Sequence, residues 1–101
     1  MIERLKGLVA LQRPGSLVID VNGVGYGVTV PLSAHAGIEE GAVAEFWIFT
    51  HVREDAIRLF GFPTYEERMA FEILLSVNGV GPKVAMAILS TLDVPTLQRA
   101  V

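Results

Sequence analysis

The chain has 101 residues, 51% of them hydrophobic, a formal charge of −3 and no cysteine. That length closes one ordinary core or two very small ones; the lack of cysteine excludes a disulfide framework and a thiolate metal site, and His35 and His51 alone make no structural zinc site. No apolar run reaches the roughly 20 residues that span a bilayer, and Met1-Ile2-Glu3-Arg4-Leu5-Lys6 lacks the order of a signal peptide, so the chain is read as soluble and cytoplasmic, with no membrane, metal or cofactor role.

Residues 1 to 62 read as strands. Leu5, Leu8, Val9 and Leu11 mark a first strand within Ile2 to Leu11, Arg13-Pro14-Gly15-Ser16 a turn, and Leu17 to Val21 a second, β-rich run. Asn22-Gly23 is a strong hairpin signal, and Tyr26, Val28 and Val30 alternate after it as far as Pro31. These three strands are expected to form a meander. Ser33 to Ile38 reads as a short helical turn and Glu39-Glu40-Gly41 as a loop. Val43 to Val52 reads as a fourth strand, with Phe46, Trp47, Ile48 and Phe49 packed together. Trp47 lacks interleaved basic neighbours, so it is assigned to a core or interface in preference to a base-stacking platform. A fifth strand, Ala56 to Phe62, follows Arg53-Glu54-Asp55. Five short strands with a helical insert between the third and fourth predict an OB-type barrel.

At Thr64 the spacing switches from two to helical. Thr64-Tyr65-Glu66-Glu67 has the form of a capping box, Thr64 as N-cap and Glu67 at the third helical position, which places a domain boundary near Pro63. Helices are expected at about 65–77 and 82–90, and Asp93 is read as the N-cap of a further helix with Pro95 near its start. No stop signal precedes Val101, so the sequence is read as a portion of a longer protein, either truncated or its ordered part. The expected fold is α+β in two small domains: a five-stranded OB-fold barrel over 1–63, then an incomplete all-α unit over 64–101.

Between the two helices lies Asn78-Gly79-Val80-Gly81-Pro82-Lys83. Glycines at 79 and 81 allow a positive φ and remove side chains that would hold an anion away. The free N–H groups at the start of the second helix lie at the positive end of its dipole, where a phosphate fits. Lys83 adds a point charge. Such a clamp suits a nucleic-acid backbone and reads no bases; the alternative is an ordinary helical corner whose glycines only permit close packing. The string resembles the helix-hairpin-helix motif of DNA-binding proteins without sequence specificity, with Val80 as its buried hairpin residue. Asn22-Gly23-Val24-Gly25 repeats the tetrapeptide but is followed by strand spacing, and is read as a β turn.

A net negative charge argues against a uniformly basic nucleic-acid coat, so the charges must be segregated, and acids do gather at Glu39-Glu40, Glu54-Asp55 and Glu66-Glu67. Glu54 and Asp55, between two strands, are expected at a hairpin tip. Three readings stand for them: a solvated turn, a metal-binding pair in a nuclease, or an electrostatic device that repels continuous duplex and so favours a branched or opened one.

Taken together, Met1-Ile2 with Leu5 and Gly7, Val21 to Tyr26, Thr50 to Asp55, Leu59-Phe60-Gly61-Phe62 and Asn78 to Lys83 closely resemble the RuvA family over essentially the whole chain. The resemblance implies a non-catalytic subunit that binds Holliday junction DNA for branch migration in recombination and repair. It implies a homotetramer, or two tetramers forming an octamer on DNA, that works with the hexameric motor ATPase RuvB and the junction resolvase RuvC. Glu54 and Asp55 would match the family's acidic pin. Asn78, Gly79, Val80, Gly81 and Lys83 would match its first DNA-binding hairpin. The second hairpin and the motor-binding domain would lie beyond Val101. A metal-dependent nuclease and a structural OB-fold adaptor are the alternatives.

Overall fold

In the computed structural model, which describes residues 1–91, the alternating segments form β1 (Arg4–Arg13), β2 (Ser16–Val21), β3 (Val24–Thr29), β4 (Val43–Val52) and β5 (Ile57–Phe62). They close into a barrel in the order β1-β2-β3-β5-β4. All pairings are antiparallel except the short junction of β3 with β5, at Val28↔Leu59 and Thr29↔Phe60. The first three strands form the expected meander. A short helix, α1 (Leu32–His35), sits between β3 and β4; α2 (Tyr65–Leu75) and α3 (Pro82–Thr91) follow the barrel. This is the α+β arrangement of an OB-like barrel followed by helices.

The turn residues explain the register. Asn22 and Gly23 both take positive φ, 52° and 91°, as a two-residue hairpin turn with the strands' own twist requires. The Gly23 N–H donates to Asp20 Oδ1 at 2.8 Å, so the first Asn-Gly-Val-Gly is a β turn. The inward residues Val9, Leu17, Ile19, Val28, Phe46 and Ile48 form one buried cluster. At Gly7 the barrel wall is tightest, because a Cβ there would be driven into the Asp20 carbonyl of the neighbouring strand. Gly7→Ala is therefore expected to lower stability by about 1–3 kcal/mol, the usual range for overpacking, measured by urea unfolding; an unchanged midpoint would show that β2 yields freely.

The run Phe46 to Phe49 does not pack as one group. Phe46 and Ile48 point into the barrel, whereas Phe49 packs outward on a second cluster, since successive strand residues face opposite sides. That second cluster joins Phe60 and Phe62 of β5 to Ala70 and Phe71 of α2 and to Ala85, Met86 and Leu89 of α3. The helices therefore share a core with the barrel end across Pro63. Trp47 is half-buried, edge-on to Tyr65 at 5.2 Å and beneath the Arg4 guanidinium.

Arg68 ties α2 to the barrel. Its Nε donates to the Ile48 carbonyl at 3.0 Å, its guanidinium lies over the Phe49 ring, and it pairs with Glu72 and Glu3. Thr64 caps α2 by accepting the Glu67 N–H at 3.2 Å. The reciprocal half of the capping box is not formed among the described residues: Glu67 is half-buried, and desolvation raises its carboxyl above the ordinary range. The helix expected from Asp93 onward lies outside the described residues. No helix among the described residues is long and apolar enough to cross a membrane.

Candidate nucleic-acid interface

The β4–β5 connection is a closed hairpin. Arg53 and Ala56 exchange backbone hydrogen bonds of 2.8 and 3.4 Å, which leaves Glu54 and Asp55 alone at the tip, both exposed. Below them the strands pair in unbroken register from Val52↔Ile57 to Trp47↔Phe62. The carboxylates thus project from a rigid two-stranded ribbon whose far end is anchored in the aromatic cluster under α2. A nuclease centre would require further ligands beside this pair. No group of three His, Asp or Glu side chains converges in a geometry able to hold a metal ion among the described residues.

The second feature lies between α2 and α3. Ser76 ends α2, and its N–H reaches back to the Glu72 and Ile73 carbonyls. The Val77 N–H then bonds the Leu74 carbonyl and the Val80 N–H the Val77 carbonyl, coiling the chain through Asn78 and Gly79. Gly79 has φ 86°, the left-handed conformation expected of it. Gly81 does not: among the described residues it is absent from the positive-φ glycines, which corrects the expectation of two such glycines. It precedes Pro82, the first residue of α3, and its carbonyl accepts the Ala85 N–H at 3.0 Å, so it acts as the helix N-cap.

Val80 is partly buried against the aromatic cluster, holding the loop down, while Asn78, Gly79, Gly81 and Lys83 are exposed. Among the described residues the N–H groups of Gly81, Lys83 and Val84 have no protein acceptor, and the first turn of α3 carries no acid to neutralise the dipole. A Cβ at either glycine would meet nothing within 4 Å. The space those glycines leave is solvent, which is what a docked ligand needs. The elements sequence reasoning placed at separate sites are thus each formed, one on the barrel and one on the helices, joined through the shared Phe60–Phe62–Phe71 core. Arg68 was not singled out by sequence; its only signal was a lone cation in the first turns of an amphipathic helix.

Residues 1–61 match the model of the RuvA N-terminal domain, and residues 71–101 that of a SAM-like helix-hairpin-helix tandem. Proteins named Holliday junction branch migration complex subunit RuvA are similar along the whole chain: 47% identical in Geobacter metallireducens and 46% in Symbiobacterium thermophilum, each covering 100% of this chain and 51% and 50% of the relative. The Geobacter sulfurreducens protein of the same name is 46% identical over 100% of this chain and 51% of its own length. The chain spans about half the length of the curated relatives it matches. A barrel with an exposed acidic tip, a glycine-turned hairpin between helices and a domain match over more than half the residues agree, and the chain belongs to the RuvA family.

Proposed function

We propose that this chain binds four-way junction DNA through its backbone and without reading sequence, as the non-catalytic subunit of a branch-migration complex. The reading rests on one juxtaposition: a rigid ribbon that ends in Glu54 and Asp55, built on the same core as a hairpin that offers unpaired backbone N–H groups. The N–H groups attract phosphate, whereas the carboxylates repel it. A surface carrying both disfavours a duplex laid straight across it and favours DNA whose strands part around the acids. The relatives' shared name supports the same assignment. In this reading Gly79, Gly81 and Lys83 grip a phosphate on one arm, Asn78 and Val80 shape the loop, and Glu54 and Asp55 stand at the crossover. Four copies form a tetramer around the junction, or two tetramers sandwich it. The work of branch migration is supplied by the RuvB motor, and the product passes to the RuvC resolvase.

A gel-shift comparison of a four-way junction with linear duplex of equal length, at low salt, tests the proposal. The chain is expected to prefer the junction. In Glu54→Gln/Asp55→Asn, duplex binding is expected to tighten on the order of tenfold, as removing two like charges allows, while junction binding holds. A preference ratio unchanged by the double substitution would remove the acidic tip from the mechanism, and magnesium-dependent cleavage abolished by it would establish the nuclease alternative.

A further inference from the structure

The parallel pairing of β3 with β5 is the shortest seam of the barrel, and beside it a groove of about 230 Å³ opens on the surface. Arg13, Ser16, Thr29 and Arg58 line it, with Gly27 and Ile57 between them. No acid lines it, in a chain where acids outnumber lysine and arginine by 11 to 8. Arg4 and Arg68 are taken up by carboxylates, whereas among the described residues Arg13 and Arg58 pair with none. The groove is therefore a local positive well on a negative protein.

Its walls are held in place. The Nε2 of His35 donates to the Arg13 carbonyl at 2.6 Å, and the Val30 N–H donates to the Gly15 carbonyl at 3.1 Å, which fastens the β1–β2 turn to the end of β3. The Arg13 guanidinium lies beside Gly27, its Nη2 3.9 Å from where a Cβ would stand, so it rests in ordinary contact against β3. The Arg58 guanidinium stacks on the Phe60 ring at 5.2 Å, so its charge is presented from a fixed stem. Arg58, the second residue of β5, follows Asp55 of the hairpin tip by three positions, so at most about 10 Å of chain separates them. The site lies between the β1–β2 turn and the β4–β5 hairpin, the two loops that flank the ligand-binding side of OB barrels in general.

We propose that this groove binds the phosphodiester backbone of a single DNA strand, Arg13 and Arg58 each contacting a phosphate and the Ser16 and Thr29 hydroxyls offering hydrogen bonds. Aromatic stacking plays no part, because the groove's lining holds no aromatic ring, so binding is indifferent to base identity. A strand leaving the acidic tip meets the groove within one or two nucleotides. This last step rests on the junction reading; the groove's affinity for a single strand does not.

The test uses the whole chain and an oligothymidylate of about 16 nucleotides, a length that covers one OB barrel, with blunt duplex and a four-way junction in parallel. Arg13→Met/Arg58→Met keeps the apolar stems and removes both charges. It is expected to weaken oligothymidylate binding on the order of tenfold and to reduce the log–log salt slope by about 1.4, at about 0.7 for each single-strand phosphate left unneutralised. Arg13→Lys/Arg58→Lys, which keeps the charges, is expected to retain the slope, and circular dichroism with thermal melting reports the fold of each. Oligothymidylate binding that the methionine pair leaves unchanged overturns the groove while leaving the junction reading intact. An equal loss on blunt duplex overturns the single-strand assignment. Arginine-dependent oligothymidylate binding without junction preference upholds the groove and sinks the junction reading.

Discussion

Phe71→Ala is expected to lower stability by about 3–5 kcal/mol, the range for truncating a fully buried phenylalanine, and to do so unevenly across the molecule. Phe71 has no exposed surface and lies 5.5, 5.1 and 5.0 Å from the rings of Phe49, Phe60 and Phe62. It is the one residue of α2 whose ring meets all three, and its truncation leaves a cavity where the helices meet the barrel. The barrel's own cluster, centred on Val9, Ile19 and Ile48, does not include Phe71. Amide exchange should therefore accelerate most in α2 and α3 while β1, β2 and β3 remain comparatively protected, as expected when local opening follows local packing. Equal acceleration throughout would mean that barrel and helices unfold as one cooperative unit.

The elements of this fold were legible because each boundary is marked by a residue with a specific backbone requirement. Asn22-Gly23 announced a turn that needs two positive φ values, and both are found there. Thr64 announced a cap and accepts the Glu67 N–H, while Pro82 announced the first residue of α3. What was not legible is what each face meets. Alternation places Phe49 opposite Phe46 and Ile48, but only the path of α2 puts Phe71 over it. Gly81 looks equivalent to Gly79 in the sequence, and they differ because Gly81 begins a helix whereas Gly79 turns the chain. The Arg13–Arg58 groove brings together residues 45 positions apart, which only barrel closure between β3 and β5 makes neighbours.

That difference between the glycines separates the two ways in which the interhelical hairpin could fail. Gly81→Ala introduces a methyl group into open space at a backbone conformation alanine accepts, so melting temperature should stay within about 2–4 °C of wild type, the size of a surface change below about 0.5 kcal/mol. If a phosphate approaches the N–H groups of Gly81, Lys83 and Val84, that methyl group obstructs it. Junction affinity should then fall on the order of tenfold, and the salt slope by about 0.9 for each duplex phosphate that the hairpin no longer holds. Gly79→Val acts first on conformation: a β-branched residue at φ 86° is strained by about 1–3 kcal/mol. The loop must then rearrange, taking Val80 off the aromatic cluster, so both junction binding and the protection of α3 amides should drop. Loss of binding in both variants with loss of order only in the second would place the phosphate at the helix start. Full junction affinity in both, with fold intact, would reduce the hairpin to a packing corner and leave the barrel to bind DNA alone.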